Sequence, residues 1–151
     1  MLDQKYIIVD VDGTISNCEH RINFAKTQDW DEFHSRCDCD EQIKENLDVV
    51  AGLADTFEII LVTGRPEKYR QQTETWLKDQ MVYHLITDVL MRPKDDYSPD
   101  GVMKEGLITE YFGSLSTALE KVTVILDDRD KVVDHFRGLG FNVWQVAESG
   151  Y

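Results

Sequence analysis

Five short apolar runs rich in β-branched residues punctuate the chain: Tyr6–Val11, Phe57–Val62, roughly His84–Leu90, Val122–Leu126 and Phe141–Val146. None alternates strictly between apolar and polar positions, the pattern of strands buried on both faces of a parallel sheet. Helical spacing fills the gaps. Ile43, Leu47, Val50, Leu53 and Ala54 recur on one face, as do Tyr69, Thr73, Trp76 and Leu77. Leu107, Ile108, Tyr111 and Phe112 form a third set, and Val132, Val133, Phe136 and Leu139 a fourth, with Gly140 as its stop. This alternation predicts an α/β fold: a five-stranded, mostly parallel sheet with helices on both faces.

Two stretches break the rhythm. Residues 15–40 form a polar insert after the first strand, with Trp30 and Phe33 expected to pin a short helix to the body. Residues 91–101 are rich in Pro and Asp and read as a loop. Neither is long enough for a separate domain, so residues 1–151 are expected to form one domain with a small cap-like helical insert. Trp76 and Trp144 read as core; His84 and His135 suggest no role.

Composition narrows the function. The 151 residues include 29 acidic and 16 basic side chains, a formal net charge of −13, which argues against a broad cationic surface gripping DNA or RNA. A local basic pocket is still allowed. Apolar residues make up 42% of the chain, enough for a real core rather than a disordered acidic tail. No apolar run approaches the roughly 18 residues of a membrane helix. Met1-Leu2-Asp3-Gln4-Lys5 leads almost directly into a strand-like run, so no signal peptide is expected. The odd set Cys18, Cys37 and Cys39 offers no disulfide framework and suits free thiols in a reducing cytoplasm.

The strand ends carry the chemistry. Ile7-Ile8-Val9 runs into Asp10-Val11-Asp12-Gly13-Thr14, and Val124-Ile125-Leu126 into Asp127-Asp128. Burying unpaired carboxylates costs several kcal/mol, so stability alone does not place them there. In a doubly wound sheet both junctions fall at the carboxyl ends of strands, where ligands bind. Carboxylates converging on one rim call for a hard cation, and Mg²⁺ with its oxygen ligands is the natural choice. The plain alternative is a pair of helix N-caps. A third junction, Thr63-Gly64-Arg65-Pro66, suggests a helix N-terminus with a hydroxyl and free amides, an anion site, with Pro66 in the first helical turn. Lys104, near the start of a predicted helix, opposes the macrodipole unless an anion sits close by.

Taken in order, Asp10-Val11-Asp12-Gly13-Thr14, Thr63-Gly64-Arg65, Lys104 and Asp127-Asp128 resemble the four motifs of the haloacid dehalogenase (HAD) superfamily. A narrower resemblance covers almost the whole chain. Thr63–Leu77, Met91–Asp96, Asp100 four residues before Lys104, Asp127–Val133 and the closing Val143–Tyr151 are similar to the 3′-phosphatase domain of phage polynucleotide kinase–phosphatases. Arg21, eleven residues after Asp10, stands where that family carries a phosphate- or substrate-contacting arginine. The GxxxxGK[ST] loop of a kinase does not occur in the sequence, so kinase activity is not expected.

The resemblance implies a HAD-like Rossmannoid fold and a Mg²⁺-dependent phosphomonoesterase. Asp10 is then the nucleophile that forms an aspartyl-phosphate. Asp12 is the acid–base partner, with a proton affinity expected to be raised by its anionic neighbour. Asp10, Asp12 (through its carbonyl), Asp127 and Asp128 would hold the metal. Thr63, Gly64 and Lys104 would bind the phosphate oxygens, with Arg21 and Arg65 as further phosphate or substrate contacts. Asp100 is expected to orient Lys104 or Arg65. The implied substrate is a 3′-phosphorylated DNA or RNA end, recognised at its terminus without an extensive groove.

Two alternatives stay open: a phosphatase for nucleotides or sugar phosphates, and a non-catalytic metal-binding module. A phosphotransferase is a further variant of the same chemistry. Separately, His34, Cys37 and Cys39 have a spacing that could supply three zinc ligands, with Cys18 or His20 as a fourth.

Overall fold

A computed structural model describes residues 3–149. Met1, Leu2, Gly150 and Tyr151, and with them the two ends of the sequence reading, lie outside the described residues. Strand β1 (Tyr6–Val9) leads into the insert, which holds β2 (Ser16–Asn17), α1 (Ile22–Lys26), α2 (Trp30–Ser35) and β3 (Glu41–Gln42). There follow α3 (Lys44–Leu53), β4 (Glu58–Pro66), α4 (Arg70–Asp79), β5 (Asp88–Arg92), α5 (Asp100–Phe112) and α6 (Leu115–Lys121). The chain closes with β6 (Val122–Asp127), α7 (Asp130–Leu139) and β7 (Val143–Gln145).

The main sheet has the order β5-β4-β1-β6-β7, and every pairing in it is parallel. Its two faces explain the unbroken apolar runs. Side chains alternate across a strand, so Ile7 and Val9 face one core and Ile8 the other. The first core is closed by Leu47 and Val50 of α3 and by Trp76 and Leu77 of α4. The second is closed by Ile108 of α5, Ala118 of α6, and Val132, Val133 and Phe136 of α7. With both faces covered, no position on β1 can be polar until the strand ends.

The order of the strands also locates the crevice. From β1 the chain winds outward to β4 and β5, then returns to the other side for β6 and β7. The carboxyl ends of β1 and β6 therefore flank the point where the winding reverses, the usual ligand position in open α/β sheets.

Several expectations need correction. Strand β4 continues through Thr63, Gly64 and Arg65 to Pro66, whose ψ of 146° is extended, so Pro66 caps a 3₁₀ turn at Glu67–Tyr69 from outside instead of lying in the first helical turn. Helix α6 lies outside the helical periodicity read from the sequence. Gly113 ends α5 in the left-handed region, and the Ser114 hydroxyl caps α6 by accepting the Thr117 N–H at 3.0 Å. Strand β5 starts only at Asp88, because Tyr83–Leu85 form a 3₁₀ turn. Trp144 is 52% exposed, since the short edge strand β7 turns Val143 inward and its neighbour outward. Trp30 is also 52% exposed; of the expected pair only Phe33 is buried. Gly140 ends α7 as expected, at φ 102°. No helix among the described residues is long and apolar enough to cross a membrane.

Candidate active site

Asp10 is delivered by the end of β1, where its N–H still donates to the Leu126 carbonyl at 3.0 Å. The chain then turns sharply. The Val11 carbonyl accepts from Thr14, Ile15 and Ser16, and Gly13 sits at φ 83°. A Cβ at Gly13 would run into the Asp128 carboxylate, so glycine is required both by its backbone and by this close approach. The end of β6 brings Asp127 and Asp128 to the same rim. Carboxylate oxygens of Asp10, Asp127 and Asp128 lie within 4.8 Å of one another, and all three residues are buried.

Lys104 Nζ from α5 donates to Asp10 Oδ1 at 2.8 Å and to Asp127 Oδ2 at 2.7 Å. The Thr14 hydroxyl donates to Asp10 Oδ2 at 3.2 Å, and the Arg129 N–H to Asp127 Oδ1 at 3.0 Å. One ammonium against three carboxylates leaves an excess of negative charge. Burial and then the Asp127 charge push the Asp10 carboxyl well above the usual carboxylate range, with Lys104 offsetting only part. Burial and Asp127 raise Asp128 too. Lys104 responds in reverse: burial alone would lower it, but Asp10 and Asp127 hold it firmly protonated. Such an all-oxygen, electron-rich rim fits a hard divalent cation. Among the described residues, Asp10, Asp127 and Asp128 form the one convergent ligand set; His34, Cys37 and Cys39 do not converge, and the three cysteines are free thiols.

Asp12 belongs to a second cluster. Its carboxylate is partly exposed at the crevice and turned toward two buried arginines. Arg21 Nη2 donates to Asp12 Oδ1 at 2.6 Å, and Arg65 Nη2 to the same oxygen at 2.7 Å. Behind them, Asp40 accepts Arg21 Nε at 2.8 Å and Arg21 Nη2 at 2.6 Å, and also Arg65 Nη2 at 3.2 Å. The Ser16 hydroxyl and His20 also bond to Asp40, and Trp76 Nε1 donates to its backbone carbonyl at 2.7 Å. Arg65 Nη1 donates to Thr73 Oγ1 at 3.1 Å.

This cluster and the contacts of Asp100 change four readings. The Asp12 proton affinity is lowered, not raised: burial alone would raise it, but Arg65 and Arg21 outweigh that. Arg21 and Arg65 are fully enclosed, and their donors go to Asp12, Asp40, Ser16, Thr73 and the Phe33 carbonyl rather than outward. The Arg65 N–H donates to Thr63 Oγ1 at 3.1 Å, so that amide is not free for an anion. Asp100 bonds to Arg92 and Arg129, not to Lys104 or Arg65. It also lies against Gly64, where a Cβ would meet its carboxylate at 3.2 Å.

The sequence does not mark Asp40, Ser16, His20, Thr73, Arg92 or Arg129 as part of this site; it offers His20 only as a fourth zinc ligand and Thr73 only as part of a helix face. Each is an ordinary polar residue on its own segment, and only the packing of the insert on β4 and α4 brings the first four together. Arg92 organises the loop after β5 by donating to the Asp96 and Ser98 carbonyls at 3.0 and 2.9 Å.

Comparison with known proteins agrees with this geometry. Residues 4–151 match the polynucleotide kinase PNKP phosphatase domain. A chain of the Pnkp1/Rnl/Hen1 RNA repair complex is 28% identical, with a TM-score of 0.82 over 98% of this chain and 44% of that one. A second Pnkp1/Rnl/Hen1 structure is 27% identical with a TM-score of 0.82, covering 100% of this chain and 48% of that one. The present chain thus spans less than half the length of these relatives. The HAD hydrolase YfnB from Bacillus subtilis, solved bound to magnesium, shares the fold at 11% identity and a TM-score of 0.67, over 97% of this chain and 94% of its own.

Proposed function

The chain belongs to the family of the polynucleotide kinase PNKP phosphatase domain and is a HAD-type phosphatase, and on that premise we propose that it is a Mg²⁺-dependent polynucleotide 3′-phosphatase of nucleic-acid end repair, without kinase activity. The observation that carries the reading is Asp10. It is buried at the strand switch point, fixed by Lys104 and Thr14, beside two further carboxylates.

The residues divide the work as follows. Asp10 Oδ attacks phosphorus, the bond to the 3′-oxygen breaks, and an aspartyl-phosphate forms. Asp12 gives a proton to the departing oxygen, then takes one from the water that releases phosphate. Its carboxylate form suits the second task; for the first, the negative charge of a bound phosphate raises its proton affinity. Asp10, Asp127 and Asp128, with the Asp12 carbonyl, would hold Mg²⁺, which screens the charge of an anionic nucleophile meeting an anionic substrate. Lys104 and Thr63 remain the candidate phosphate contacts. Arg21 and Arg65 act on the substrate through Asp12.

Phosphate release with Mg²⁺ from a 3′-phosphorylated oligonucleotide, its 5′-phosphorylated twin and nucleoside monophosphates tests the proposal. Selective release from the 3′ end, lost in Asp10→Asn, is expected. Equal rates on all three would favour the second reading, a small-molecule phosphatase. The enclosure of Arg21 and Arg65 supports that reading, because neither is offered to a polymer backbone.

A further inference from the structure

Helix α2 stands a column of rings over the arginine that holds Asp12. The Arg21 guanidinium carbon lies 4.3 Å from the Phe33 ring centroid, and its Nη1 donates to the Phe33 carbonyl at 3.1 Å. His34 lies against two other rings at shallow tilts. Trp30 lies 6.3 Å away at 27°, and Tyr69 lies 5.6 Å away at 33°. The Tyr69 end of the column is closed, its hydroxyl donating to Asp31 Oδ1 at 3.0 Å. At the other end Trp30 is 52% exposed and meets the Phe33 ring edge-to-face at 5.9 Å.

Stability does not account for this arrangement. Phe33 already anchors the helix. An indole left half in water forfeits burial worth up to a few kcal/mol. His34 is buried with its Nδ1 lacking a hydrogen-bond partner, which also costs stability. Burial pushes the imidazole down to about 4, against the pull of Asp12, so at neutral pH the column is uncharged. The neighbouring Phe33 carbonyl accepts from Arg21, whose Nη2 donates to Asp12 Oδ1 at 2.6 Å, and this chain of contacts ties the column to the crevice. A neutral ring column with one open face, next to a site for a phosphomonoester, suits a flat aromatic group carried by the leaving side of the substrate.

We propose that Trp30, backed by His34 and Tyr69, takes the base of the nucleotide whose 3′-phosphate is removed. Base–aromatic stacking tolerates every base, so the subsite selects for a base without selecting which one. It also lets an acidic protein hold a nucleic-acid end with little reliance on phosphate contacts. The proposal rests on the 3′-phosphatase reading above.

The test compares two 3′-phosphorylated oligonucleotides, identical except that one ends in an abasic nucleotide. The readout is the ratio of their kcat/KM values. Wild type is expected to favour the base-bearing end about tenfold, mostly through KM, within the range that stacking supplies. Trp30→Ala should bring the ratio close to one, and Trp30→Phe should restore most of it. A structural role for Trp30 would lower both rates together and leave the ratio intact; that result, or a wild-type ratio of one, overturns the subsite alone. Failure of wild type to hydrolyse either end would overturn the subsite and the 3′-phosphatase reading together.

Discussion

Arg65 grips Asp12 across the mouth of the crevice: its Nε lies 3.1 and 3.2 Å from the two carboxylate oxygens, and its Nη2 lies 2.7 Å from Oδ1. The fork holds the carboxylate in one orientation and keeps it ionised. Removing it should leave Asp12 tied to Arg21 alone, with Asp40 short of a partner. Breaking one side of a buried ion-pair network costs about 3–5 kcal/mol. Arg65→Ala should therefore lower the denaturant midpoint by that equivalent and reduce kcat at least tenfold. Arg65→Lys should recover stability better than activity, because an ammonium cannot reproduce the fork. Full activity in Arg65→Ala would contradict the role.

Asp40 stands behind both arginines and is itself fully enclosed. Asp40→Asn keeps the Trp76 bond, which goes to the backbone carbonyl, but removes the countercharge. Urea unfolding should show a loss of about 3 kcal/mol or more. A variant as stable as wild type would show that the arginines need only Asp12.

At Gly13, Ala would need a strained positive φ and would push into the Asp128 carboxylate. Conformational strain alone costs about 1–2 kcal/mol. The variant should lose at least that stability, and its Mg²⁺ requirement should rise because Asp128 is displaced. Unchanged Mg²⁺ dependence of kcat would place Asp128 outside the metal site.

The pH dependence of the metal-free protein follows from Asp10, which burial and Asp127 hold protonated more readily than in the unfolded chain. Stability from such a group is full below about pH 4, the unfolded carboxylate value, and is lost as pH rises through the higher folded value. Wild type should therefore lose stability relative to Asp10→Asn as pH climbs from about 4 toward neutrality. His34 has the opposite sense. Pushed down to about 4 by burial, it supplies stability above about pH 6.5 that fades as pH falls toward 4. Taking the difference between wild type and Asp10→Asn cancels it. A flat difference across pH 4–8 would refute the Asp10 assignment.

Mg²⁺ should raise the melting temperature at pH 7, by the equivalent of about 2.7 kcal/mol at a hundredfold excess over Kd. Asp127→Asn should abolish most of that rise, and calorimetry with Mg²⁺ alone measures it without any substrate.

Much of this protein is written locally. The apolar runs of β1, β4 and β6 announce two-sided burial because every second residue meets a different helix layer. Asp10, Asp127 and Asp128 stand out because charge interrupts such runs where no stabilising reason exists. Gly140 is legible as a stop, since its left-handed φ is a property of the residue itself.

Arg21, Arg65 and Asp100 show the other side. Each reads from the sequence as a substrate or orienting group, yet each spends its charge within the protein, on Asp12 and Asp40 or on Arg92 and Arg129. Trp144 and Trp30 likewise read as anchors but face outward, because a strand edge and a short helix decide direction through neighbours remote in sequence. Periodicity and charge interruption are short-range, so the sequence alone determined the sheet, its longer helices and the acidic rim, though not α6. Which cation meets which carboxylate depends on the packing of the insert against β4 and α4. Tertiary structure alone made Asp12 an arginine-held carboxylate and left Trp30 the open face of a ring column.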